Sequence, residues 1–584
     1  MSAQSLVGGL IIGLTGLLWS TLGANGLAAA PEGQLDVLKR ELLGLAKSVG
    51  PPPGQRPEAP PQPVLAVLAA EDWDFSLEFA SELGEERSRA NALVAVVSKA
   101  GELQDRIQSR TVLLRVAAVA AAMGHDAAKA RVLASCARVA EKLGDAAKAR
   151  EIVARALDSA RRISDPSSRA RVLADLAETE TKLGSRDEAL AFLDEAVKAT
   201  GTIGDDATAV LVLTRLATAA AGLGDARRAT SLLAQAVRAA DNINDDLARA
   251  AVLDVVAQGA TALGDPAQGR AILQTIIEAT STIGSDLGKA RVLASVSTSA
   301  TALSDPIQGR SVLAEVVLAS DTIGAEFTKV RWLLVTVVQA QVKLGNEVQA
   351  RDLVERALRT ADIVDTDFAR IRVLDSVALG AGKLNDAVQA RALLARVVQE
   401  TSKVADASLR PRVLISVGQA AGQLGDPAQG RAVLEGVISA ARGASGEAEL
   451  AALYLALSKA AASLGDLALA HTLLNAAAQE TESVPTDAAK AHAEAALAET
   501  ALQLGDRARA VTSIESLAAA RQRFGAKLVA DSDLVRCAAI AASLDRRQLA
   551  TSMTDMLDTD SGKLDALSRI YAVWGRQASN RADH

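Results

Sequence analysis

Apolar residues in this chain recur three and four positions apart in stretches of about 15 residues, the spacing of an amphipathic helix. The stretches come in pairs. Ser167 to Leu183 is rich in the helix formers Ala, Leu, Arg and Glu. Gly184 then permits a turn that other residues resist, and a second helix is predicted over Arg186 to Thr200. The same phrase returns at forty-residue steps as Leu143-Gly144-Asp145, Leu223-Gly224-Asp225 and Leu263-Gly264-Asp265. After one 41-residue step it returns at Gly345, Gly425, Gly465 and Gly505. A period of this length marks a stack of supersecondary units. Units can be laid down over 85–565: six of forty residues to 324, one of 41 to 365, then five of forty.

Two columns set the packing of the second helices. Ala149, Ala189, Ala229, Gly269, Gly309, Ala350, Ala390, Gly430, Ala470 and Ala510 leave no room for a branched side chain. Four residues further on stand Val153, Leu193, Leu233, Leu273, Leu313, Val354, Leu394, Leu434, Leu474 and Ile514, on the same helix face. The small residue admits a neighbouring helix and the aliphatic one fills the groove beside it. First helices repeat the arrangement with Leu133, Leu173, Leu213, Leu253 and Leu293, each followed by Ala137, Ala177, Ala217, Ala257 or Ser297. Helices this short cannot bury their faces alone, so each unit leans on the next.

On these residues the chain resembles the tetratricopeptide-repeat-like (TPR-like) helical repeat family. The run Gly184-Ser185-Arg186-Asp187-Glu188-Ala189, with Ala196 beyond it, matches that family's turn and second helix, and Leu173 with Ala177 matches its first. The unit is atypical: forty residues long, in a chain with only 2% aromatics. The resemblance implies an all-α fold, a right-handed alpha-alpha superhelix (solenoid) of about twelve helix pairs. It also implies protein partners held on an extended concave surface.

Composition narrows the options. Apolar residues make up 49% of the chain and can fill a long core, while a net charge of -7 without a strongly basic patch argues against nucleic acid. His125, His471, His492 and His584 form no ligand spacing, although His471 and His492 could approach across a unit boundary. No catalytic residue, metal or cofactor is assigned, and the chain is not read as an enzyme. Cys136 and Cys537 lie about ten units apart and read as buried small residues.

The apolar run Leu6 to Trp19, followed by Gly26-Leu27-Ala28-Ala29-Ala30-Pro31, reads as a signal peptide over 1–28 or as a retained membrane anchor. It places the chain in a periplasm or another extracytoplasmic space. Beyond it come a short helix over Leu35 to Val49 and a Pro-rich spacer, together 29–63, and a capping helix over 64–84. The repeat array fills 85–565, and 566–584 forms a C-terminal cap and polar tail.

Two cation columns run through the first helices. One is Arg169, Arg249, Lys289, Lys329, Arg370, Arg410 and Lys490. The other, two residues later, is Arg131, Arg171, Arg291, Arg331, Arg372 and Arg412. They either pair with acidic residues opening the same helices, such as Asp126 before Lys129 and Asp286 before Lys289, or engage an acidic partner. Around the 41-residue unit, Phe327, Trp332 and Phe368 concentrate aromatics. Trp332 with Arg331 and Arg372 either anchors a peptide or fills the core of an irregular unit. Arg331, Trp332, Arg372, Arg291 and Arg412 are therefore the candidate partner-binding residues. The expectation is a monomeric or dimeric, exported or membrane-tethered scaffold for a protein or extended peptide. The alternative is a structural cell-envelope component that self-assembles through its repeats.

Overall fold

The computed structural model describes residues 32–48, 64, 67–68, 72–324, 333–364, 366–442, 446–525 and 529–582. Every regular element among them is helical. Two compact units form: Arg89–Leu473, and Met1–Ser88 together with Leu474–His584.

Within Arg89–Leu473 the helices follow the predicted pairs. Pro166–Lys182 packs on Arg186–Thr200, and Asp206–Gly222 on Ala226–Ala240. First helices also pack on first helices of the neighbouring units, from Asp126–Lys142 through to Asp286–Ala300. The ends of each helix are fixed by local chemistry. Asp145, Asp165, Asp205, Asp225, Asp245, Asp265 and Asp305 are N-caps whose carboxylates accept backbone N–H groups of the first turn. Pro166, Pro266 and Pro306 occupy the first turn, where no donor is missed. At the turn between the two helices Gly184 has φ +83°, and Ser185 N donates to Glu180 O at 2.9 Å, closing a Schellman motif.

The small and aliphatic columns occupy the core as expected. Ala149, Ala189, Ala229, Ala350, Ala390, Ala470 and Ala510 are fully buried, and so are Leu193, Leu233, Leu273, Leu313 and Leu394. The small column faces the C-terminal end of the first helix. A Cβ on Gly309 would stand 2.6 Å from Ala300 O, so at this unit the two helices approach more closely than an alanine allows. Cys136 and Cys537 are buried and free, and burial pushes both thiols up to about 12.

In the other unit, helix Glu32–Ser48, read from sequence as Leu35 to Val49, packs on Trp73–Glu82 and on Asp560–Ala582. The two ends of the chain therefore meet. The last helix runs through residues that sequence reads as a polar tail. Phe75 and Tyr571 rings lie 4.8 Å apart, Phe75 and Phe79 6.1 Å, and all three side chains are buried. Asp72 ties the cluster together: it caps Phe75 N at 3.0 Å, accepts the Tyr571 hydroxyl at 2.7 Å and pairs with Lys39 at 2.7 Å. Burial raises the Asp72 pKa, but the bonds from Lys39, Phe75 and Tyr571 outweigh it and hold the carboxyl below its usual value.

Candidate functional site: the first-helix face

The described cations of the first column, with Lys129 in register before them, bond mostly to main-chain carbonyls, and the pairing expected from sequence is seen at Arg370. Lys129 Nζ donates to Ala121 O at 2.8 Å, Arg169 to Ile163 O at 3.2 Å, Arg410 to Val404 O at 2.7 Å and Lys490 to Glu482 O at 3.3 Å. Each reaches back to the carbonyls that end the preceding helix or follow it, where the helix dipole favours a positive charge. Lys289 reaches forward instead, to Thr322 O at 3.2 Å. Arg249 is buried and held by Asp241 and Thr282. Arg370 combines both roles, bonding Ala361 O at 3.1 Å and lying 3.6 Å from Asp367.

The acidic residues that open the first helices also reach the far end of their own unit or the start of the next. Asp126 pairs with Arg162 at 3.1 Å, and Asp286 accepts Gly324 N at 3.2 Å. Asp246 accepts Ser285 N at 2.7 Å and Asp367 accepts Asp406 N at 3.0 Å. Asp246 and Asp367 staple their unit to the first residue of the following one, whereas Asp126 and Asp286 tie the start of their own unit to its end.

A third cation ladder, missed in the sequence, does similar work on the second helices. Arg150 donates to Leu183 O at 3.3 Å, Arg310 to Leu344 O at 3.0 Å, Arg351 to Gln389 at 3.0 Å and Arg391 to Gln429 at 2.9 Å. Its signal was present, since each Arg directly follows a member of the small column: Ala149, Gly309, Ala350 and Ala390.

What remains is part of the second column. Arg131 bonds Asn91, and Arg171 donates to Ser167 Oγ at 2.9 Å. Arg291 and Arg412 make no hydrogen bond or ion pair among the described residues; Arg291 is half-buried and Arg412 exposed. The Arg372 guanidinium lies 5.2 Å from the centre of the Phe368 ring, a cation–π contact, and Phe368 is 56% exposed. Leu287 stands four residues before Arg291, just as Phe368 stands four before Arg372, so each pair shares one helix face. Leu287 is also partly exposed. The face thus presents apolar side chains beside guanidinium groups, the two residue classes that carry interface energy. Arg331, Trp332 and Phe327 lie outside the described residues; of the predicted set Arg291, Arg372 and Arg412 are described, each on a first helix, with Phe368 beside Arg372 and Leu287 one turn before Arg291.

Elsewhere, His492 Nδ1 lies 3.3 Å from Asp533. Among the described residues no group of three or more His, Cys, Asp or Glu could hold a metal ion, and no helix is long and apolar enough to cross a membrane. The apolar run from Leu6 and the Pro-rich stretch lie outside the described residues.

Comparison with known proteins agrees on the repeat. A tetratricopeptide repeat family signature matches residues 130–202. No curated protein matches the sequence. Among solved structures, Ton1535 from Thermococcus onnurineus NA1 is 17% identical, covering 61% of this chain and 98% of its own at a TM-score of 0.26. Yeast Tom70 is 13% identical, covering 93% and 96% at 0.24. A Podospora anserina putative kinesin light chain with nearly identical TPR-like repeats is 19% identical, covering 35% and 100% at 0.23. The forty-residue helix pairs, their Gly-centred turns and the matched segment make this chain a TPR-like, all-α array of helix-pair repeats.

Proposed function

We propose that this protein is a non-enzymatic scaffold that binds a partner protein, or an extended peptide from one, along the first-helix face of its array. One observation carries the reading. The first column and the second-helix ladder are spent on holding helices and units together, whereas Arg291 and Arg412 have no partner among the described residues and Phe368 is exposed beside Arg372. An array needs none of these for its own packing. A photo-crosslinking amino acid at position 368 tests it: partner protein is captured there and not from the exposed second-helix position 467. Arg291→Glu with Arg412→Glu lowers partner retention at least tenfold while the melting temperature stays unchanged. Retention equal to the wild type defeats the reading.

The location belongs to the same proposal. The apolar run ending in Gly26-Leu27-Ala28 supports work in an extracytoplasmic space, released or tethered. Fractionation with N-terminal sequencing separates the cases: a start at Ala29 means release, an intact Met1 in the membrane pellet means an anchor, and an intact soluble cytoplasmic chain overturns the location.

A further inference from the structure

Between the second helices Pro306–Ala319 and Glu347–Ile363, at the 41-residue step, a cleft of about 570 Å³ opens. That is the size range in which proteins bind small ligands or the side chains of a peptide. A hollow of about 240 Å³ adjoins it and shares Val317, Leu353 and Arg356 with it.

Three features of the cleft point to one kind of occupant. Its apolar wall is Val317, Leu353 and Leu318, and Leu318 is 69% exposed, an arrangement the helix pair does not require. Its charge is one-sided. Asp352 and Glu355 lie on the wall, but Arg351 sits 3.5 Å from the first and 3.7 Å from the second. Arg356 and Arg359, also on the wall, form no ion pair among the described residues. The third feature is an orphan donor. Gln341 is fully buried and lines the cleft; its Oε1 accepts from Asn346 at 2.9 Å, but its Nε2 has no hydrogen-bond partner. A buried amide N–H without an acceptor is costly, so native structures seldom keep one without a reason.

We infer that this cleft is a second docking site, separate from the first-helix face, for an extended acidic peptide segment of a partner protein. An aliphatic side chain of the peptide rests on Leu318, Val317 and Leu353. Carboxylates on either side of it meet Arg356 and Arg359, and a peptide carbonyl accepts from Gln341 Nε2. A basic segment would leave both guanidinium groups facing like charge, and a neutral apolar one would bury them unpaired. The inference rests on the scaffold reading above and adds the chemistry of one partner element to it.

The test is fluorescence anisotropy on the full chain with a fluorescein-labelled pool of octapeptides in which Asp or Glu alternates with Leu, Ile or Val. Saturable binding is expected, with no binding of the matching pool that carries Lys for the acidic residues. The double variant Arg356→Glu, Arg359→Glu changes only exposed side chains and is expected to weaken binding at least tenfold. Gln341→Leu, which replaces the orphan amide by an apolar group of similar size, is expected to weaken it several-fold. Arg291→Glu with Arg412→Glu is measured beside it: a loss of peptide binding as large as that of the Arg356/Arg359 variant places the peptide on the first-helix face and overturns the cleft as its site. No saturable binding, equal binding of the Lys pool, or unchanged affinity in the Arg356/Arg359 variant overturns the inference. If partner retention still depends on Arg291 and Arg412 in that event, the scaffold reading stands without the cleft.

Discussion

In the array of residues 89–473 the contact between helices is made many times by the same kind of residue: Gly269 against Ala260, then Gly309 against Ala300, and again Gly430 against Ala421. In the unit that holds residues 474–584 the contact between Trp73–Glu82 and Asp560–Ala582 is made once, by Phe75 against Tyr571, with Phe79 beside Phe75 and the Tyr571 hydroxyl donating to Asp72. A repeated contact can be small, because its neighbours carry part of the load and a local defect stays local. A single contact has no such reserve. In a chain with so few aromatics, three of them are gathered where the packing is unique.

That comparison predicts unequal damage from core substitutions. Phe79→Ala removes the fully buried ring that lies 6.1 Å from Phe75 behind the single contact and is expected to cost about 3–5 kcal/mol. Hydrogen exchange should show helices Trp73–Glu82 and Asp560–Ala582 losing protection together. If the loss stays within Trp73–Glu82, the two ends do not depend on each other. Ala189→Leu instead overfills one member of a repeated column, for about 1–3 kcal/mol. Protection should fall in Pro166–Lys182 and Arg186–Thr200 and remain unchanged two units away. A loss spread evenly over the array would show that its units are not locally autonomous.

A smaller effect is expected from the staples between units. Asp246→Ala removes the carboxylate that accepts Ser285 N at 2.7 Å, while the first turn beyond Ser285 keeps its own cap, Gly288 N donating to Ser285 Oγ. The expected loss is about 0.5–1.5 kcal/mol, read from the urea midpoint, with exchange rising at 282–285. No change at those amides would show that Ser285 N is satisfied equally well by water.

The repeat itself was legible because every copy of a column has the same task. Ala189 and Leu193 could be placed in the core from spacing alone, and Gly184 at a turn from the positive φ it permits. The direction of the first cation column was not legible, because the acceptors of Lys129 and Arg410 are main-chain carbonyls, which have no letter in the sequence. The ladder that includes Arg310 is readable from the small column, since Gly309 precedes it. The contact of Asp72 with Tyr571 joins residues 499 positions apart, and no periodicity reaches that far. At the candidate site, Arg291 and Arg412 could be named from the second column, but spacing does not separate them from Arg131 or Arg171 of the same column, whose bonds to Asn91 and Ser167 only the structure shows.

The smallest predicted effect concerns pH and the unit of the chain ends. His492 Nδ1 lies 3.3 Å from Asp533, whose carboxylate is buried, and this bond raises the histidine's pKa above its ordinary value of 6.5 despite opposing terms from burial and Arg536. A raised folded value means that the charged imidazolium stabilises the folded state. The contribution is complete below the ordinary histidine pKa and is lost as pH rises through the higher folded one. The imidazole side chain is 70% exposed, so screening limits the effect to the range of about 0.2–1 kcal/mol found for exposed pairs. Melting curves between pH 5.5 and 8.5 should therefore show a slightly less stable protein at the upper end, a difference that His492→Gln abolishes. Retention of the same slope in His492→Gln would assign it to other groups. A steeper slope in the opposite sense would mean that the imidazole is held neutral against Asp533.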